Sequence, residues 1–174
     1  MKTLILHGKA RCIYKPDKSN DDINTDYIIS GRYKFHIENL QELSKHLFED
    51  IDPEFLKRFE KGDFVVAGRN FGCGSSREQA PLVLKYAGVS AVIAMSFARI
   101  FYRNSFNIGL PLVECDTSGI EEGDVLKISL TEGIIENETK KKVIHTRPLP
   151  KFMINLLQDG GLVEHIKKYK MFKI

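Results

Sequence analysis

Apolar positions along this chain come first in short interrupted runs, then in solid blocks, then in alternation. Residues 4–6 and 12–14 read as two short strands about a Gly8-Lys9 turn. The polar stretch PDKSNDDINTDYIISGRY, residues 16–33, reads as a loop leading into a short strand over 27–29. Leu40, Leu43, Leu47 and Phe48 recur at helical spacing, and Phe55, Leu56 and Phe59 suggest a second short helix started by Asp52-Pro53.

From Phe64 the pattern tightens. Residues 64–67 (FVVA) form the continuous apolar block of a covered strand. A helix is predicted over 81–87, stopping at Gly88, then a strand over 91–94. A helix over 97–107 ends before Gly109, and a strand begins at Leu112-Val113. Strands alternating with helices imply right-handed crossovers and a parallel sheet. Residues 125–130, 133–136 and 143–146 read as antiparallel strands, and Gly160-Gly161 splits helices over 151–157 and 162–169. No repeat or long linker divides the chain. The expectation is α/β: one domain over residues 1–174, with a mostly parallel central sheet and additional antiparallel strands.

Composition narrows the function classes. At 43% hydrophobic and 28% charged, the chain is an ordinary globular sequence without a disorder signature. A net charge of +3 falls short of the concentrated basic face of a nucleic-acid binder, and Lys140-Lys141-Lys142 read as solvated surface. Cys12, Cys73 and Cys115 are scattered, odd in number and form no C-x-x-C pair. That argues against a disulfide framework or a self-contained zinc or iron–sulfur site, and it suits a reducing compartment. The apolar run at the N-terminus is too short for a signal peptide, and no stretch is long enough to span a membrane, so a cytoplasmic location is expected. Asn137-Glu138-Thr139 matches a glycosylation sequon, which has no meaning in that compartment.

The candidate chemistry lies in GRNFGCGSSREQAP, residues 68–81, where the FVVA strand hands over to a helix. Ligands of open α/β sheets bind at such carboxyl ends of strands. Gly72 and Gly74 allow close backbone approach or positive φ. N–H groups at a helix start attract carboxylates or phosphates, and Arg77 offers a two-point fork, so the loop reads as an anion cradle. The Walker pattern is excluded because its Gly-Lys-Ser/Thr end is missing. The dinucleotide fingerprint is excluded because Arg77 stands where its third glycine belongs. A structural alternative remains: Ser75-Ser76-Arg77-Glu78 matches a capping box. Pro81 complicates it, since proline belongs in a helix's first turn, and this leaves room for the serines in a separate turn before the helix.

NFGCGSSREQAP followed by SFARIFYRN, with DDINTDYIISGRY before them and GGLVEHIKK after, resembles aconitase-type hydro-lyases. Within these, the likeness is to isopropylmalate dehydratase small subunits and their homoaconitase relatives, over nearly the whole chain. The resemblance implies an aconitase-type swivelling β/β/α domain forming one wall of an active site. It implies no cofactor or metal bound by this chain, a [4Fe–4S] cluster carried by a partner large subunit, and a small 2-hydroxy di- or tricarboxylic acid as substrate. Neither a nucleic-acid nor a membrane partner is expected, given the modest net charge and the lack of a long apolar stretch. Ser75 would be the catalytic base, its anion stabilised by oriented N–H groups and Arg77. Ser76, Arg77 and Gly74 would hold the substrate carboxylate. Asp21 and Asp22 resemble an acidic motif facing the active site, with Asp26 behind them; the alternative is Asx-type loop capping. Arg99 and Arg103 share one helix face, suited either to surface pairing or to contact with substrate or large subunit. Cys73 is a small loop residue.

Arg32, Tyr33, Lys34, Phe35 and His36 occupy the loop that in such enzymes contacts the distinguishing substituent. Phe35 stands where homoaconitase-like forms carry arginine, which favours burying an isopropyl group over pairing an extra carboxylate. The expected reaction is isomerisation of 2-isopropylmalate to 3-isopropylmalate in leucine biosynthesis. 2,3-Dimethylmalate and homoaconitate are the substrate alternatives. The rivals from other classes are a stand-alone carboxylate- or phosphate-binding module and a purely structural subunit.

Overall fold

The organising element is a strand that pairs in two different ways. The computed structural model describes residues 4–34 and 36–170, and among them β1 (Ile5–Cys12) runs unbroken. Its first half pairs antiparallel with β5 (Val125–Ser129), from Ile5 opposite Ser129 to Lys9 opposite Val125. Its second half pairs parallel with β2 (Phe64–Val66), Ala10 opposite Phe64 through Cys12 opposite Val66. The expected pair of strands about a Gly8-Lys9 turn is therefore corrected to one strand. Gly8 serves close approach instead of turning: a Cβ there would lie 2.3 Å from the Gly62 carbonyl oxygen.

Among the described residues one sheet of seven strands results, in the order β4-β3-β2-β1-β5-β6-β7. β3 (Ala91–Ala94) and β4 (Leu112–Glu114) continue the parallel half, joined by α5 (Gln79–Ala87) and α6 (Arg99–Asn107). β6 (Ile134–Asn137) and β7 (Lys142–His145) extend the antiparallel half. Every residue of β2 and β3 is buried. Because successive strand side chains point to opposite faces, this parallel half is covered on both sides. β6 alternates and β7 is mostly exposed, as befits an open edge. α7 (Lys151–Asp159) and α8 (Leu162–Tyr169) close the chain, with Gly160 as the left-handed C-cap of α7.

Two expectations before β2 fail locally. The strand expected over 27–29 is instead the short helix α1 (Thr25–Ile28), because the Asn24 side chain accepts the Tyr27 N–H and starts a turn there. The loop after it contains α2 (Gly31–Lys34). The helix expected from Leu40 is α3 (Leu40–Leu43), continued only by a 3₁₀ turn over Ser44–His46. Phe48 is buried with φ 57° and donates its N–H to the Ile28 carbonyl, so tertiary contact overrides helical spacing. α4 (Phe55–Arg58) forms where the sequence places it.

The parallel half is secured at β1 by an ion pair. Arg11 Nε lies 2.6 Å from Asp63 Oδ2, their side chains only 9% and 6% exposed. Asp63 also accepts the backbone N–H groups of Lys9 and Glu60, while Arg11 Nη1 donates to Glu122. Burial works against the Arg11 charge, yet the bonds to Asp63 and Glu122 hold its pKa above the ordinary value. Asp63→Ala leaves that guanidinium with Glu122 alone. It is expected to lower the unfolding free energy by about 3 kcal/mol, measured by urea denaturation of the isolated chain.

Candidate active site

β1, β2 and β3 end at one edge of the parallel half, and the segments leaving them interlock. Gly68 N–H donates to Asn20 O, Asp22 N–H to Arg69 O, Gly72 N–H to Ile23 O and Thr25 N–H to Cys73 O, all at 2.8–2.9 Å. On the other side, Met95 N–H donates to Gly68 O, Phe71 N–H to Ser96 O and Ala98 N–H to Phe71 O. The glycine loop thus lies as an extra rung between the exits of β1 and β3. Gly72, at φ 79°, can be nothing larger, since a Cβ would stand 2.2 Å from the Phe101 ring.

Past that rung three successive main-chain donors are left over. Among the described residues the N–H groups of Gly74, Ser75 and Ser76 donate to no protein acceptor. Gly74 has φ 90°, and Gly74, Ser75 and Ser76 are exposed. They line a cavity of about 420 Å³ together with Thr25, Asn70, Arg77, Phe97, Arg99 and Ile100. The capping-box alternative is not realised: α5 starts at Gln79 with Glu78 as N-cap and no side-chain capping bond. Pro81 then falls within the first turn of α5. The serines occupy a tight turn of their own, in which Arg77 N–H donates to Ser75 O at 2.7 Å.

Two neighbours in α1 hold this turn. Thr25, 2% exposed, donates its hydroxyl to Ser75 O at 3.0 Å, and its Oγ1 lies 3.3 Å from Ser75 Oγ. Arg77 Nη1 lies 2.5 Å from Asp26 Oδ1 and donates to Ile29 O. Asp26 and the Ile29 carbonyl thus hold Nη1 of the guanidinium fork, and Arg77 is itself one of the residues lining the cavity. The sequence pointed to Asp26 only as a residue behind others, and it did not single out Thr25. The usable signal was Asn24-Thr25-Asp26, a polar trio at a helix start whose first member caps and so aims the other two.

Asp21 and Asp22 do not line the cavity. Asp21 Oδ1 accepts the Arg69 N–H at 2.5 Å, and Asp22 Oδ1 accepts Asn70 Nδ2 at 2.7 Å. Asp22 and Asn70 are both left-handed, at φ 54° and 56°. This bond joins the two residues that turn their segments, which is the loop-holding alternative. Burial and the Asp22 charge push the Cys73 thiol up, away from the thiolate a nucleophile needs. Arg32 pairs with Asp50, and Tyr33 donates to Glu49 while stacking on His46 at 3.9 Å; neither lines the cavity. His36 is exposed. Phe35 and the Lys34 side chain lie outside the described residues. Arg99 lines the cavity, while Arg103 does not, and neither pairs with a carboxylate among the described residues. Among those residues no three His, Cys, Asp or Glu side chains stand together as a metal site, and no helix is long and apolar enough to cross a membrane.

A parallel-to-antiparallel sheet with a glycine–serine cradle at the parallel strand ends defines an aconitase-type domain, and residues 41–117 match the aconitase C-terminal domain family. A crystal structure of 3-isopropylmalate dehydratase from Methanocaldococcus jannaschii superposes with a TM-score of 0.88 at 42% identity, covering 96% of each chain. A 3-isopropylmalate dehydratase small subunit of Archaeoglobus fulgidus is 55% identical over 90% of this chain and 95% of its own length. One from Caldicellulosiruptor saccharolyticus is 52% identical over 94% and 92%. The chain belongs to the family of 3-isopropylmalate dehydratase small subunits, and so is part of a hydro-lyase.

The cradle depends on Gly72. Gly72→Ala is expected to destabilise the fold by about 2 kcal/mol or more, since it adds both a clash with Phe101 and a left-handed alanine. Thermal and urea unfolding measure this.

Proposed function

We propose that this chain, working as a single domain in the cytoplasm, supplies one wall of an active site that isomerises 2-isopropylmalate to 3-isopropylmalate. The other wall belongs to a large subunit carrying a [4Fe–4S] cluster. The observation that supports this most directly is the Ser75 turn. An exposed hydroxyl, unpartnered N–H groups and a half-tethered arginine face one cavity, in a chain of this family.

Ser75, as its alkoxide, takes the proton from the carbon beside the hydroxyl-bearing carbon. A free serine is far too weak a base near neutral pH, so its anion has to be stabilised in place. Thr25 supports this directly: its hydroxyl can turn from the Ser75 carbonyl to the Ser75 oxygen, both within 3.3 Å. The Arg77 charge and the N–H groups of the turn act over the same space without reorganising. Ser76, Gly74 and the free side of the Arg77 fork hold the substrate carboxylate, with Asp26 fixing the fork. The cluster, when bound, supplies a Lewis acid for the departing hydroxyl. Readdition of water in the other orientation gives the isomer. Asp21 and Asp22 hold the loop. The preference for an isopropyl substituent rests on the sequence, on Phe35 in place of an arginine, within the specificity loop from Arg32 to His36.

Free cysteines suit a reducing compartment, and burial pushes Cys12 and Cys115 up to about 12, which keeps both as thiols. The test is anaerobic reconstitution with the cognate large subunit, offering isopropylmalate, 2,3-dimethylmalate and homoaconitate. Turnover is expected only in the mixture, with isopropylmalate preferred. Ser75→Ala is expected to assemble normally, because Ser75 caps no helix, and to lose at least ~10³-fold in kcat. Near-normal turnover by that variant would falsify the assignment. Thr25→Val is expected to lose about ten- to a hundredfold in kcat with KM little changed, the worth of one hydrogen bond to a charged group.

A further inference from the structure

A second cleft opens beside the Ser75 cavity and shares Phe97 and Arg99 with it. Its volume is about 490 Å³. α6 contributes Arg99 and Arg103 to it, and the segment after β7 contributes Arg147. All three arginines are exposed, and none forms an ion pair among the described residues. Of the remaining arginines, Arg11, Arg32, Arg58 and Arg77 each reach a carboxylate, while Arg69, on the loop after β2, is exposed and forms no ion pair among the described residues. Against the three guanidinium groups the cleft sets a single carboxylate, Glu114, so an excess of positive charge remains. The surface between the charges is largely apolar, with Tyr102 and Met153 only partly covered, and Ile100, next to Arg99 in the first turn of α6 and lining the Ser75 cavity, is 55% exposed.

We infer that this cleft is where the large subunit docks, through a segment carrying acidic side chains and at least one apolar anchor. The inference rests on the half-site reading above. Two features favour a protein segment over a small anion. Arginine, tyrosine and methionine about an apolar floor is the composition of interface centres, whereas a small-anion site converges its charges on one point with little apolar surface. The cleft is also continuous, through Phe97 and Arg99, with the cavity that the same partner has to cover if the active site is to be closed. A subunit seated over Ser75 and reaching past Phe97 and Arg99 therefore covers these arginines as well. Complementary charge there sets the register of the two walls and speeds their encounter.

The experiment measures association of the chain with its cognate large subunit by biolayer interferometry at several salt concentrations. Arg103→Glu and Arg147→Glu are the variants, both outside the Ser75 cavity; circular dichroism and thermal unfolding check that each remains folded. Each is expected to weaken association at least tenfold, mainly through slower binding, and to flatten its salt dependence. At saturating large subunit, kcat is expected to return to within about twofold of wild type. Unchanged affinity in both folded variants, with an active wild-type complex, overturns the docking assignment and leaves the half-site reading standing. Failure of the wild-type chains to associate at all overturns both. Sedimentation of the chain alone covers a second copy: a dimer that Arg103→Glu dissolves assigns the cleft to self-association and overturns the inference. So does calorimetric binding of phosphate or citrate that the variants abolish while large-subunit affinity holds.

Discussion

The structure depends on β1 being shared. One strand closes the antiparallel half through Ile5 to Lys9 and opens the parallel half through Ala10 to Cys12. At the crossover its backbone leaves β5 and is taken up by the turn that leads into β5: Ala10 N–H donates to Asp124 O, Gly123 N–H to Ala10 O, and Glu122 accepts the Cys12 N–H. Asp63, at the entrance to β2, then binds Arg11 from the side. Buried backbone groups need partners, and this arrangement supplies them where the pairing mode changes. Loss of the seam would separate the half that carries the site from the half that stiffens it.

The seam also explains why the site forms at one edge. β1, β2 and β3 run parallel, so their exits lie side by side, and three loops distant in sequence become neighbours. The loops are then sewn together by main-chain bonds, with Asp22 and Asn70 bonding each other at left-handed positions. Left-handed conformations of that kind persist only where surrounding structure imposes them. The cross-bonded part of the loop ends at Cys73, whose carbonyl accepts the Thr25 N–H, and among the described residues the N–H groups of Gly74, Ser75 and Ser76 beyond it have no protein acceptor. Rigidity beside unsatisfied donors is what preorganised binding of a developing negative charge requires.

On the proposed reading this chain offers a single wall. The Ser75 cavity and the arginine cleft beside it both open outward from the α6 side, and both leave charge without an internal partner. A free-standing binding module would gather its cations about its own ligand site. Here Arg99 and Arg103 extend away from Ser75 along α6, and Arg147 stands apart on the segment after β7, a distribution suited to a large partner surface.

The sequence by itself determined β2, β3 and β4 of the parallel half, because FVVA and the apolar block at 91–94 are short, continuous and bounded by turn residues, as covered strands are, and the glycines after α5 and α6 end those helices. It also determined the loop that carries Ser75, Ser76 and Arg77, since glycines and serines in that order have a local meaning. Tertiary structure decided what depended on distant backbone. Gly8 looked like a turn and proved to be a point of close approach to Gly62. Tyr27 to Ile29 have strand propensity, yet the Asn24 cap and the docking of that segment on the glycine loop made α1. Ser75 matched a capping box in sequence, but the turn through Ser75 O and Arg77 N–H consumed the residues a cap would need. The pairing of Thr25 with Ser75 and of Asp26 with Arg77 spans about fifty residues of chain. No local pattern encodes such a contact, because it arises only when the sheet has set β1 and β2 side by side.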